Sequence, residues 1–184
     1  VDHPEAGFPL LSVVGGKLTT FRSLAEEAVN KIFTKLRLPK QKCRTGQRPL
    51  PGFSLLHEPN FTKLFAERHG LSVPSARHLA RTYGAWAEDI AVLANQQPEL
   101  KETICARTGA LAAEVVWSCQ REEVTHLEDF MLRRSLIAWQ KGQGREAIDP
   151  VLRLMAPLKG WDAARVALEK ERFLQSLERF RVPD

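Results

Sequence analysis

Apolar residues recur at helical spacing along most of the chain. Between Phe21 and Leu36 they lie three and four positions apart, which predicts an amphipathic helix that ends at Pro39. A short apolar run at residues 10–14 precedes it and predicts a β-strand that ends at the pair Gly15 and Gly16. The chain therefore begins with a predicted strand–turn–helix unit.

From residue 61 onward the pattern predicts helices only. The predicted helices lie at 61–68, 75–83 and 85–94, around Val115, after a capping box at Thr125 and Glu128, and after Asp149 and Asp162. Residues 38–60 hold six prolines and glycines and no apolar period, so they are predicted to be a linker. The fold class is mainly α: a strand–turn–helix unit at 1–37, a linker at 38–60 and a helical bundle at 61–184.

Length and composition limit the class of protein. With 184 residues, 43% hydrophobic and 27% charged, the chain can form an ordinary core, which excludes intrinsic disorder. No apolar run is long enough to span a membrane, and the first residues do not read as a secretory signal. Since the sequence does not begin with Met, we expect it to be a piece of a longer protein.

The positive charge is concentrated in one segment. The net charge is +5, but seven lysines and arginines lie between Lys31 and Leu50 with no acid, and the remaining 20 basic residues are outnumbered by 22 acidic ones. Such a segment suits nucleic acid, an anionic lipid surface, a phosphate-bearing ligand, or simply a solvated connector. Nucleic acid is not favoured, because only Phe33 could supply base stacking there.

Cysteines and histidines give no metal-binding pattern. Cys43, Cys105 and Cys119 are widely spaced without a CxxC, and the five histidines form no HExxH. We therefore expect free thiols in a reducing compartment and no metal site. The four tryptophans are expected to pack in the core. The charged pairs around Glu128 and Arg133 are expected to be ion pairs rather than catalytic dyads.

The glycine pair is the candidate for chemistry. The segment Val13 to Thr20 is similar to a P-loop but has Leu11 and Leu18 where that motif needs Gly and Ser or Thr. The chain also lacks the GxSxG of hydrolases and the GxGxxG of dinucleotide folds. What remains is a strand, two glycines, Lys17 and a helix start, which together can stabilise an anion. The alternative is a tight turn with Lys17 in water.

An ordered series of motifs runs from about residue 10 to 140. The motifs are Val14-Gly15-Gly16-Lys17-Leu18-Thr19-Thr20-Phe21-Arg22, Pro49-Leu50-Pro51-Gly52, Arg81-Thr82-Tyr83-Gly84, Glu114-Val115-Val116-Trp117, Arg121-Glu122-Glu123, Leu127-Glu128-Asp129-Phe130 and Arg133-Arg134. Together they resemble one family, the flavin-dependent respiratory glycerol-3-phosphate dehydrogenases. Departures are small: Phe21 stands where the family often has Tyr, and Ser135 where Thr is common.

The resemblance implies that this is the C-terminal region of such an enzyme. Residues 1–37 would then end a flavin-binding domain, and 61–184 would be a helical cap. Gly15, Gly16, Lys17, Leu18 and Thr19 would face FAD, with Lys17 near the flavin edge or the substrate phosphate. The family oxidises glycerol 3-phosphate to dihydroxyacetone phosphate and passes electrons to quinone.

The same resemblance implies partners and a location. The partners would be the N-terminal flavin-binding region of the same protein, glycerol 3-phosphate, quinone and an anionic membrane surface, with the enzyme cytoplasmic and peripheral to the inner membrane. The resemblance implies that the nucleotide-binding fingerprint and most substrate-binding Arg and His residues precede Val1. We therefore assign no catalytic residue in this chain and expect it to be inactive alone. Its first strand should be extended and weakly held, or paired with another copy. The alternative function is a non-enzymatic basic helical module that binds nucleic acid or a protein.

Overall fold

The computed structural model describes residues 10–14, 16–49, 52–53 and 60–180. Contacts between backbone positions divide the chain into two units, Val1–Pro51 and Gly52–Asp184. Each unit is described by itself below. Gly15, part of the predicted turn, lies outside the described residues.

The first unit consists of one long helix and extended segments. A 3₁₀ turn, Leu18–Thr20, continues directly into helix α1, Phe21–Lys35. Residues 10–14 do not form the predicted strand: Leu11 makes an isolated bridge, and Val14 is 75% exposed. The prediction of an extended and weakly held segment agrees with this, because one bridge satisfies few backbone groups.

The second unit begins with three helices. They are α2, Phe61–His69, α3, Val73–Tyr83, and α4, Ala87–Gln96. The Ser72 side chain accepts a hydrogen bond from the amide of Ser75, which caps α3, and Pro74 lies in its first turn as predicted. A 3₁₀ turn, Gly84–Trp86, separates α3 from α4.

A small hairpin that the sequence pattern did not predict follows. Strands β1, Thr103–Cys105, and β2, Ala110–Leu111, pair antiparallel with Thr103 opposite Leu111. Helix α5, Ala112–Arg121, starts directly after β2. Glu114 Oε1 accepts a hydrogen bond from the Leu111 amide at 2.7 Å, so the carboxylate caps the helix it belongs to.

The last third of the chain holds a π-helix, two long α-helices and short 3₁₀ turns. A π-helix, Asp129–Arg134, leads through two 3₁₀ turns, Ile137–Trp139 and Arg145–Ala147, to α6, Ile148–Lys159, and α7, Ala163–Leu177. A final 3₁₀ turn covers Glu178–Phe180. The Asp162 side chain caps α7 by accepting from the amide of Arg165 at 2.7 Å, as predicted. The mainly α fold class is confirmed.

The core of the second unit is continuous and apolar. Its largest fully buried side chains include Phe130, Phe173, Leu79, Ile90 and Met155, which come from α3, α4, the π-helix, α6 and α7. Close packing of this kind is the main source of stability for a domain of this size.

Two details of the predicted pattern are wrong. Trp86 and Trp139 are 40% and 57% exposed, so only some of the tryptophans serve the core. The capping residue after Thr125 is Asp129 rather than Glu128: Asp129 Oδ2 accepts from the amides of Thr125 and His126. The helical run begins at Leu127, so His126 is the N-cap and Asp129, three positions later, is the residue whose carboxylate reaches back.

Candidate functional site

The predicted anion turn lies at the start of α1. Gly16 has φ = +111°, which L side chains rarely adopt, and Lys17 is extended. The Thr20 amide and hydroxyl both donate to the Lys17 carbonyl, at 3.0 and 2.9 Å, which holds the turn closed. All described residues from Gly16 to Thr20 are exposed. Because Leu18 and Thr19 begin a helical run, their amides have no carbonyl one turn before them and can donate to a ligand.

Arg22 connects α1 to the basic segment that follows it. Its Nη1 donates to Glu26 Oε2 at 2.6 Å and to Thr45 Oγ1 at 3.2 Å, and lies 3.7 Å from Cys43 Sγ. The hydrogen bond and charge of Glu26 raise the pKa of Arg22, and the hydrogen bond from Arg22 lowers the pKa of Glu26. This network folds residues 41–48 back along α1.

The apolar side of α1 is exposed. Phe21, Val29, Ile32 and Leu36 are 41–55% exposed, and α1 has no buried residue. A cleft of about 420 Å³ runs between this side and residues 41–48 and includes Phe21, Val29 and Phe33. A helix of this length gains most of its stability from packing an apolar face. The exposed side is therefore a surface that another part of a larger protein can cover.

In the second unit, two glycines from different motifs meet. Gly52, which ends the Pro-Leu-Pro-Gly motif, accepts a hydrogen bond at its carbonyl from the Ala85 amide at 2.7 Å. A Cβ added to Gly84 would lie only 1.8 Å from the same Gly52 carbonyl oxygen. Gly52 itself packs against Tyr83 and Trp86. We call this pair the glycine contact; it fixes the start of the second unit on the turn between α3 and α4.

Aromatic rings extend the glycine contact into the core. The Trp117 ring lies 5.6 Å from the rings of both Trp86 and Tyr83, centroid to centroid. These geometries are typical of stabilising aromatic pairs. Gly52, Gly84 and Trp117, each the last residue of one of the motifs that carry the resemblance, therefore lie in one connected group of contacts.

A buried acid lies beneath this aromatic group. Glu114 is fully buried, and its Oε2 lies 2.9 Å from His78 Nε2. Burial is the main reason that the pKa of Tyr83 lies well above its usual value, and the negative charge of Glu114 raises it further. His78 and Glu114 are 36 positions apart and come from different helices, so no local spacing could have indicated the pair.

The charged residues near the π-helix form ion pairs, as predicted. Arg133 contacts Glu128 at 2.8 Å and Asp129 at 3.0 Å, and Arg134 lies 3.6 Å from Glu122. Burial acts to raise the pKa of Asp129, but the hydrogen bonds from Thr125 and His126 outweigh it, so the pKa is lowered.

A second acidic group, missed by the sequence patterns, ties α7 to the π-helix. Glu169 accepts from His126 Nδ1 at 3.0 Å, from the Leu127 amide at 2.9 Å, and pairs with Arg165 at 2.8 Å. Its side chain is 2% exposed. Burial acts to raise its pKa, but the hydrogen bonds of His126 and Leu127 and the two positive charges outweigh it, so the pKa is lowered.

Metal ligands do not cluster in the part of the chain that the structure describes. No group of three or more His, Cys, Asp or Glu side chains there could hold an ion, and Cys43, Cys105 and Cys119 are free thiols. Among the described helices, none is long and apolar enough to span a bilayer.

The described residues thus define a helical domain with aromatic and acidic side chains in its core, preceded by a helix with an exposed apolar side. Residues 43–166 match the family described as the C-terminal domain of alpha-glycerophosphate oxidase. This match covers well over half of the chain, so the chain belongs to that family.

Relatives that match this chain over nearly its whole length share the name glycerol-3-phosphate dehydrogenase. A protein of Synechocystis sp. named glycerol-3-phosphate dehydrogenase is 32% identical over 185 residues, which is 100% of this chain and 34% of that protein. Mitochondrial proteins of that name from Arabidopsis thaliana and Rattus norvegicus are each 30% identical, covering 94% and 98% of this chain and 30% and 24% of those proteins. The chain therefore spans 24–34% of the length of these relatives. The resemblance to the C-terminal region of glycerol-3-phosphate dehydrogenases is confirmed.

Proposed function

We propose that this chain is the C-terminal region of an FAD-dependent glycerol-3-phosphate dehydrogenase, with residues 1–37 completing a flavin-binding domain, 38–60 acting as a linker and 61–184 forming a helical cap. The whole enzyme oxidises glycerol 3-phosphate to dihydroxyacetone phosphate and reduces quinone to quinol. The observation that carries this proposal is the match of nearly the whole chain to relatives of that name.

The turn before α1 fits a flavin. Gly16 lacks a side chain and has φ = +111°, so a flat ring can approach the backbone there. FAD supplies, when bound, the acceptor for the hydride that leaves C2 of glycerol 3-phosphate. Gly15, Gly16, Lys17, Leu18 and Thr19 would hold that group, with Lys17 near the flavin edge or the substrate phosphate. The amides of Leu18 and Thr19 and the positive helix end would favour negative charge on a group held there.

The expected size of this effect sets the scale of the test. A helix terminus contributes about 0.3–2 kcal/mol to a nearby anion, and each 1.36 kcal/mol is about tenfold in rate. Replacing Lys17 by Met in the full-length enzyme should lower kcat or raise KM for glycerol 3-phosphate by roughly tenfold or more. The matched control is Lys63→Met, an exposed lysine on α2. Unchanged kinetics in Lys17→Met would remove Lys17 from the site.

The exposed apolar side of α1 provides the contact to the rest of the enzyme. In the proposal, the N-terminal flavin-binding region covers Phe21, Val29 and Ile32 and supplies the remaining flavin and substrate contacts. The purified 184-residue chain should then show no yellow flavin absorbance and no glycerol 3-phosphate oxidation. Activity of the isolated chain would overturn the proposal.

The basic segment supplies a membrane contact. All seven of its lysines and arginines are exposed: Lys31, Lys35, Arg37, Lys40, Lys42, Arg44 and Arg48. Each such charge near an anionic bilayer is worth about 1 kcal/mol, which suits a cytoplasmic enzyme held at the inner membrane beside quinone. The full-length enzyme should sediment with vesicles containing phosphatidylglycerol at low salt, and substitution of Lys40, Lys42 and Arg44 by Gln should release it. Retention of that triple variant would exclude this surface.

A further inference from the structure

The polar side of α1 forms one wall of a second cleft in the first unit. Ser23, Asn30 and Thr34 follow one another at seven and four positions, so they share a face of the helix. Phe21 lies on the opposite, apolar face. Residues 40–43 form the other wall, and the cleft has a volume of about 860 Å³.

Side-chain contacts hold the second wall to the helix. Arg22 Nη1 donates to Glu26 Oε2 at 2.6 Å and to Thr45 Oγ1 at 3.2 Å. Thr45 Oγ1 in turn lies 3.1 Å from Cys43 Sγ, at the end of this wall. The two walls are therefore already joined without a ligand, which lowers the cost of binding one.

Positive charge dominates the lining of the cleft. Four of the described residues that line it are lysines: Lys31, Lys35, Lys40 and Lys42. We call it the lysine cleft. Two carboxylates line it as well, but each has a positive partner. Glu26 Oε2 lies 2.6 Å from Arg22, and Glu27 Oε1 lies 3.2 Å from Lys31. With Arg22 included, the site carries three more positive than negative charges, which favours a multiply charged anion.

The neutral residues of the lining carry hydroxyl and amide groups. Asn30 and Gln41 can both donate and accept hydrogen bonds. The hydroxyls of Ser23 and Thr34 donate to the Thr20 and Asn30 carbonyls, so their oxygens can still accept. None of the described residues that line the cleft is aromatic, so a nucleobase would find no ring to stack on. The hydroxyl groups of a sugar or polyol, in contrast, would find partners.

We propose that the lysine cleft binds a sugar or polyol that carries two phosphate groups. A phosphate monoester carries about −1.5 to −2 charge at pH 7, so two of them match the excess positive charge. The lysines hold the phosphates, and Asn30 and Gln41 hydrogen-bond the hydroxyl groups. The volume lies within the range of about 300–1,000 Å³ that is typical of small-ligand sites.

This site differs from the proposed flavin and substrate site, because Lys17 does not line it. Lys40 and Lys42 also belong to the basic segment that we proposed as a membrane contact. A phosphorylated lipid headgroup offers the same chemistry as a free sugar phosphate, so the test uses one probe of each kind.

Calorimetry on the full-length protein measures the affinity for fructose 1,6-bisphosphate, with excess dihydroxyacetone phosphate filling the proposed substrate site. Asn30→Ala removes a hydrogen-bonding group but no charge, and it should raise Kd by about threefold or more. The helix tolerates this change, because Ala is the better helix former. Replacing Lys40 and Lys42 together by Gln should raise Kd by about tenfold or more. Calorimetry needs no turnover, so the result does not depend on the proposed function.

The second probe is a vesicle that contains phosphatidylinositol 4-phosphate, whose headgroup is a polyol with two phosphates. Sedimentation with these vesicles is measured for the same variants. Binding of the free bisphosphate with the expected pattern of losses identifies a soluble ligand. Binding of the vesicles alone, with that pattern, identifies a lipid headgroup.

The matched control replaces Arg44 and Arg48 together by Gln. This removes two charges from the same basic segment, but these two side chains line the 420 Å³ cleft and not the lysine cleft. The Kd should stay within about twofold of wild type. Binding of neither probe would overturn the proposal. An unchanged Kd in Asn30→Ala, or equal losses in the control and in the Lys40 and Lys42 variant, would also overturn it, because binding would then follow net charge alone.

Discussion

At the residue scale, the glycine contact at the start of the second unit depends on the absence of a side chain at Gly84. Gly84 has φ = +58°, and a Cβ added to it would collide with the Gly52 carbonyl. Gly142 also has a positive φ, +89°, but a Cβ added there would meet no atom within 4 Å. The two positions therefore separate two effects of adding a methyl group. One effect is backbone strain, which both share, and the other is a steric clash, which only Gly84 suffers.

We expect Gly84→Ala to destabilise the chain by about 3 kcal/mol or more, from strain together with overpacking. Gly142→Ala should destabilise it by only about 1 kcal/mol, from strain alone. Urea unfolding at constant pH measures both differences. If the two variants lose equal stability, the glycine contact does not hold the segment at Gly52 in place.

At the scale of elements, buried carboxylates join parts that are distant in sequence. Glu169 on α7 accepts a hydrogen bond from the Leu127 amide, two residues before the π-helix. Its carboxylate also contacts His126, Arg165 and Arg172. Because the pKa of Glu169 is lowered in the folded chain, its ionised form stabilises the fold. That contribution is complete above the ordinary glutamate pKa near 4.5 and is lost as the pH falls below it.

The variant Glu169→Gln should therefore lose about 1–3 kcal/mol of unfolding free energy at pH 7. The difference from wild type should shrink between pH 5 and pH 3, where the wild-type carboxylate becomes protonated. Urea unfolding across this range is the measurement. Glu171→Gln, an exposed acid on the same helix that accepts from Gln175, should change stability by less than about 0.5 kcal/mol throughout. A constant deficit in Glu169→Gln at every pH would show that its charge is not what matters.

The same scale shows what the sequence patterns could and could not predict. Helices α1, α2, α3 and α7 follow from apolar spacing and caps such as Asp162, because these signals are local. The hairpin of β1 and β2 was missed because two strands of three and two residues leave almost no alternation to detect. Glu114 and Glu169 were missed as buried acids because their partners His78 and His126 lie 36 and 43 positions away.

For the candidate site, the sequence predicted the turn but neither the loss of the strand before it nor the glycine contact. The turn at Gly16 and Lys17 followed from the glycine pair, and the positive φ of Gly16 is the conformation that glycine favours. The predicted strand before it is reduced to a bridge at Leu11, because a strand needs neighbouring strands that the described residues of this unit do not supply. The glycine contact joins residues 32 positions apart, which no local pattern predicts.

For the whole molecule, the two units differ in how much apolar surface they bury. Helices α1 and α7 both have 15 residues, but α1 has no buried residue whereas α7 buries Phe173 and Leu177, among others. Packing rather than intrinsic propensity provides most helix stability in proteins. The two helices are therefore a matched pair that differs in packing and not in length.

Hydrogen exchange on the isolated 184-residue chain should separate them. Amides in α1 should exchange through local opening with a protection free energy below about 2 kcal/mol, while α7 and α5 open only with the global unfolding of the second unit. In the full-length protein, covering the side that bears Phe21, Val29 and Ile32 should raise α1 protection by a factor of ten or more, because apolar burial is worth about 25 cal/mol per Å². Equal protection of α1 and α7 in the isolated chain would mean that α1 needs no further partner, and the proposed contact with an N-terminal region would lose its physical basis.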